Sequence, residues 1–149
     1  MKTTITSVQA RQIWDSRGRP TVEAEVGLAG GATGRACAPA GASRGAHEAI
    51  DLRDGGPRFG GLGVDGAVAA VNGEIAALLD GRDAADQAGL DEAMTITDGT
   101  ANLARFGANA TVAVSLAALH ATAAAAGLPL WAHLAQGGKP RLPLPEIQF

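Results

Sequence analysis

Tyrosine is absent from the 149 residues, and aromatic side chains of any kind make up only 3% of them. Net charge is −3, and the 12 Lys and Arg are scattered rather than clustered. The chain therefore lacks the basic and aromatic platform on which single strands stack, and no nucleic-acid partner is expected. The single cysteine, Cys37, excludes an intramolecular disulfide framework and a cysteine-based metal cluster. It reads as a small buried hydrophobe in a reducing setting. No uninterrupted apolar run reaches the roughly 18 residues of a membrane span. Met1-Lys2-Thr3-Thr4 opens without a signal-peptide core, so a cytoplasmic setting with no membrane contact is expected. Large apolar side chains are scarce too: 33 residues are Ala, whereas Leu, Ile, Val and Phe together number 31. With 21 Gly beside them, elements can approach closely but bury modest apolar area. A partner surface is expected to complete that burial.

What is present divides into a β-like first quarter and a helical remainder. Residues 5–14 mix β-branched and polar positions, and Asp15-Ser16-Arg17-Gly18-Arg19-Pro20 reads as a turn. Thr21-Val22-Glu23-Ala24-Glu25-Val26 alternates strictly, so Val22, Ala24 and Val26 share one face of a strand. Gly30-Gly31 signals a hairpin into a third strand over 33–38. A helix is then expected over 46–53, and another with Val64, Val68, Val71, Ile75 and Leu78 on one face and Gly81 at its end. A third spans 85–94, with Leu90 and Met94 inward. The longest covers 109–126, with Asn109 as N-cap and a buried stripe of Val112, Leu116, Leu119 and Ala123. Its small alanine face suits close packing on a sheet or a neighbouring helix. Residues 130–135 add a last turn or two. The fold class expected is α+β, a three-stranded antiparallel meander followed by a helical bundle. Residues 1–136 form the domain. Residues 137–149 read as an extended proline linker, with Glu146-Ile147-Gln148-Phe149 resembling a strand that has only begun.

Candidate chemistry is thin. The loop Pro39-Ala40-Gly41-Ala42-Ser43-Arg44-Gly45 combines a mobile backbone with one hydroxyl, which suits closure over an anionic ligand. Arg17 can form a bidentate pair with a carboxylate elsewhere. His47, His120 and His133 are widely separated. Adjacent His47 and Glu48 do not converge on one ligand, and Asp51 and Asp54 read as helix or turn residues rather than metal ligands. No nucleophile–base set can be assembled, so these residues alone name no reaction.

Taken in order, however, several segments resemble the N-terminal domain of enolase. They are Asp15-Ser16-Arg17-Gly18 with Pro20-Thr21-Val22-Glu23, the 39–45 loop with His47-Glu48-Ala49, and Leu52-Arg53-Asp54-Gly55. Ala69-Ala70-Val71-Asn72, Asp83-Ala84 with Asp86-Gln87, and Asp98-Gly99-Thr100 follow. Phe106-Gly107-Ala108-Asn109-Ala110, Val114-Ser115-Leu116-Ala117 and Pro129-Leu130 complete the series. The resemblance implies a magnesium-dependent lyase, phosphopyruvate hydratase, interconverting 2-phosphoglycerate and phosphoenolpyruvate in glycolysis. It implies that the metal carboxylates and the catalytic base lie on a C-terminal β/α barrel absent from this chain, which alone would be inactive. It assigns Ala40, Gly41, Ala42, Ser43 and Arg44 to the substrate-closing loop, Ser43 to the second magnesium, and Arg17 to the interface of a homodimer or higher oligomer. Ala40 and Arg44 stand where the family loop carries serine and threonine, and Arg19 where it carries asparagine. Arg44 is therefore a candidate contact for an extra anionic group. Two other readings stay open: a divergent superfamily enzyme acting on another phosphorylated or carboxylated substrate, and a non-catalytic domain that pairs with a barrel.

Overall fold

The computed structural model describes residues 2–41, 43, 45–142 and 144–145. Ala42, Arg44 and Glu146 to Phe149, named above, lie outside the described residues. Three strands form first: β1 (Ile5–Trp14), β2 (Pro20–Leu28) and β3 (Thr33–Cys37). They pair antiparallel in the order β1-β2-β3, the meander expected from the alternation. Val8 faces Val26, Ala10 faces Ala24 and Gln12 faces Val22, so the small and branched side chains of both strands point to one side. Ile5 is buried together with Val8 although they lie three residues apart. A register shift between Ile5 and Ser7 re-aims the strand there, as a bulge does.

The helices cover that side of the sheet. α1 (Asp65–Ala70), a π turn (Val71–Ile75) and α2 (Ala76–Leu79) run on continuously. Val64, Ala67, Val71, Ile75 and Leu79 are buried, while Val68 and Leu78 are only half-buried. The wider π turn shifts the inward stripe from alternating steps of three and four to successive steps of four. On its outer side Asn72 reaches the free edge of β1, where it accepts the Ala10 N–H at 2.7 Å and donates to the Ala10 carbonyl at 3.0 Å. α3 (Gln87–Asp98) begins on Asp86, whose carboxylate accepts the Gly89 N–H at 3.1 Å. It buries Leu90 and Met94 as expected and ends at Gly99 with φ 70°.

α4 (Ala108–Ala125) is the central helix, and α5 (Leu130–Ala135) follows it. The face of α4 differs from the expected stripe. Ala110, Ala113, Val114, Ala117, Ala118 and Ala121 are buried, whereas Val112 and Leu116 are 44% and 38% exposed and Leu119 is half-buried. Gly34 of β3 supplies the reason. A β-carbon there would collide with the Ala117 carbonyl and the Ala121 nitrogen, so helix backbone rests directly on strand backbone. Only alanine-sized side chains fit that approach, and the larger ones turn away. At 18 residues and mean hydropathy 1.3, α4 has the length and composition of a membrane span, contrary to the reading of the apolar runs. It is instead the core helix of this fold, with 56% of that window buried.

The helix expected over 46–53 does not form. Ile50 donates to the Asn102 carbonyl at 2.8 Å and accepts the Ala108 N–H at 2.7 Å. Its backbone groups are thus paired across the chain rather than with a helical neighbour. Asp54 stands outside α1 and accepts the Asp65 and Gly66 N–H groups at 2.8 and 2.9 Å. That satisfies helix-end donors which would otherwise lack partners.

Candidate functional site

Antiparallel pairing brings the start of β2 beside the end of β3, since Glu23 faces Cys37. The turn before β2 and the loop after β3 therefore share one end of the sheet. Two bonds pin the loop's first root: Thr21 Oγ1 donates to the Ala38 carbonyl at 2.7 Å, and the Ala38 N–H donates to Val22 at 3.1 Å. The second root is clasped by Glu48, whose Oε1 accepts the Gly45 N–H at 2.7 Å. Between the two roots, Pro39, Ala40, Gly41 and Ser43 line a cleft of about 530 Å³.

Arg19 and Cys37 line the same cleft. Glu48, Asp51 and Arg53 also line the cleft, as do Val112 and Leu116 of α4. Val112 and Leu116, turned away from the close contact at Gly34, are thus part of the cleft lining. Cys37 is exposed, not the buried hydrophobe expected, because it ends β3 on the side away from the core. Ser43 is exposed as well. His47 does not line the cleft although its neighbour Glu48 does, and His120 is an exposed residue on α4.

Asn109 is not the N-cap expected. Gly107, at φ 88°, holds that position, and Asn109 is buried in the first turn with its amide turned onto Leu52. Arg53 is the second brace. It binds the Asp51 carboxylate at 2.6 and 2.8 Å and donates to the carbonyls of Pro20 and Leu62 at 2.6 and 2.8 Å. Arg17 is exposed in the 15–20 turn. Its backbone N–H and that of Arg19 both donate to Asp15 Oδ1 at 2.8 Å. The bond from Arg19 is the first cause that holds the Asp15 carboxyl below its usual range; slight desolvation opposes it, and the bond from Arg17 and both arginine charges reinforce it.

The domain with these features is recognisable. A family model described as the enolase N-terminal domain matches residues 5–134. The chain belongs to that family. The match covers the sheet, α1 through α4 and nearly all of α5. In this enolase N-terminal domain, no three His, Cys, Asp or Glu side chains gather to hold a metal among the described residues. Magnesium takes about six oxygens in a near-octahedral shell. Glu48 and Asp51 are already engaged within the cleft, so the donor set does not amount to a magnesium site, and Ser43 offers a single hydroxyl.

Sequence reasoning missed Arg19, Cys37 and Glu48 as residues of the cleft. A signal for the first two existed. In a meander, residues just before β2 and at the end of β3 must meet at one sheet end. The bracket from Asn109 to Leu52 had no local signal, because its partners lie 57 residues apart.

Proposed function

We propose that this domain caps the active site of an enolase-like, magnesium-dependent lyase interconverting 2-phosphoglycerate and phosphoenolpyruvate. The observation that carries the reading is that Pro39, Ala40, Gly41 and Ser43 line the cleft between two pinned roots. Magnesium, held by carboxylates outside this chain, would supply positive charge beside the substrate carboxylate. In this reading the metal carboxylates and the base belong to a barrel domain. The capping chain contributes the loop that excludes water and one oxygen, from Ser43. Residues 1–136 are read as the cap and 137–149 as the lead into the barrel. Leu142 and Leu144, 98% and 96% exposed, fit a segment that docks on another surface. Arg17 is read as a contact to a second copy in a homodimer or higher oligomer, and the setting as cytoplasmic.

The test joins the chain to an enolase barrel and follows phosphoenolpyruvate formation. Turnover that depends on magnesium, and that falls about tenfold to a hundredfold in kcat for Ser43→Ala, is expected. Unchanged kcat in Ser43→Ala would remove the role of the loop. Turnover by the 149-residue chain without a barrel would overturn the division of labour.

A further inference from the structure

Four charged side chains line the cleft among the described residues: Arg19, Glu48, Asp51 and Arg53. Three of them are engaged. Arg53 and Asp51 pair with each other, and Arg53 also donates to two carbonyls. Glu48 holds the Gly45 N–H. The guanidinium of Arg19, by contrast, makes no ion pair or hydrogen bond with a described residue.

Its backbone is held firmly. The Arg19 N–H donates to Asp15 Oδ1 and its carbonyl accepts the Asp15 N–H, both at 2.8 Å, in a turn whose Gly18 is left-handed at φ 69°. A cation carried on a rigid turn loses less freedom on binding than one carried on a mobile loop. The planar guanidinium fork matches a carboxylate or a phosphate. Without Arg19, two carboxylates and one arginine would leave the described cleft with a net negative charge. With Arg19 the charged side chains of the described cleft balance, and one guanidinium donor set stays open to an anion.

We propose that Arg19 is a specificity-determining residue of this cleft, contacting an anionic oxygen of the acid bound there. This rests on the cleft being the substrate site, and it adds a determinant outside the closing loop. The side chain discriminates ligands by charge, favouring a doubly charged phosphate over a singly charged carboxylate.

The chain, isotope-labelled, is titrated with inorganic phosphate and separately with glycerate, which has the carboxylate without the phosphate. The Arg19 Nε–H and the backbone amides of 37–41 are read by NMR for the natural chain, Arg19→Lys and Arg19→Gln. Phosphate is expected to shift the Arg19 Nε–H and the neighbouring amides, and Arg19→Gln to bind it about tenfold more weakly. Arg19→Lys, which keeps the charge without the fork, should fall between. Because the side chain is exposed, amides beyond the 15–20 turn should be unmoved by either substitution. Equal affinity in Arg19→Gln, shifts mapping away from the cleft, or no response of the Nε–H to phosphate would each overturn the inference. Glycerate binding as tightly as phosphate would overturn the charge preference. None of these outcomes decides whether the chain supports lyase turnover on a barrel, so the two readings fail separately.

Discussion

The Asn109 side chain brackets Leu52: its Oδ1 accepts the Leu52 N–H at 3.1 Å and its Nδ2 donates to the Leu52 carbonyl at 3.0 Å. One buried amide thereby joins the segment that follows the candidate loop to the first turn of α4. Asn109→Ala leaves both Leu52 groups without their partner and should cost about 2–3 kcal/mol. Urea denaturation measures this. A cost below that of an ordinary surface substitution would show that the bracket does not hold the segment.

Gly34 has no room for a side chain. Gly34→Ala places a methyl group into the backbone of α4 at Ala117 and Ala121. Helix and strand must separate, at a cost of about 3 kcal/mol or more. Thermal unfolding should show a large fall in Tm. Gly31→Ala is a useful contrast: it meets no atom within 4 Å and is penalised only through its φ of 84°.

Asp98 is buried at the end of α3, where it accepts the N–H groups of Thr100, Arg105 and Phe106 and the Thr100 hydroxyl. Desolvation pushes its pKa up, but these four bonds together outweigh it and hold the carboxyl below its ordinary 3.8. The folded state therefore binds its proton less readily than the unfolded chain. The stability it contributes is complete above the unfolded pKa and is lost as pH falls below 3.8 toward the folded value. Asp98→Asn should flatten that acid limb, and at neutral pH it should cost about 2 kcal/mol, because an amide cannot accept at both positions. Denaturation across acidic pH checks both; an acid limb unchanged in slope would assign it to other carboxylates.

Asn72 covers a strand edge. Asn72→Ala frees the N–H and carbonyl of Ala10 on β1. The site is exposed, so water replaces much of the lost bonding and stability should fall by only about 1 kcal/mol. Exposed edge groups invite pairing with another chain. Aggregation on warming should therefore rise more than the stability loss explains. Light scattering of the variant against a surface variant of equal Tm separates the two effects.

Much of the fold was legible. Strict alternation in residues 21–26 marks β2, and Gly30-Gly31 marks the hairpin, because both signals are carried by neighbours in sequence. The candidate site was legible only in part. Residues 39–41 and 43 line the cleft, but the segment that brings Arg53 to it is held at Ile50, Leu52 and Arg53 by Asn102, Asn109, Pro20 and Leu62. The helix wrongly expected over 46–53 has the same origin. Its composition permits a helix, and distant carbonyl and N–H groups supply better partners.

Local order and its punctuation thus follow from residue order: where strands alternate, where glycine turns the chain, and that α3 turns Leu90 and Met94 inward. Motif order also carries family membership. Tertiary contact decided the rest. Which side of α4 is buried was settled by the missing side chain at Gly34, since close backbone approach excludes Val112 and Leu116, which line the cleft instead. That Arg19, Cys37 and Glu48 share one cavity was settled by strand pairing and chain return. The forces that gather them act between residues far apart in the chain, and no local pattern records them.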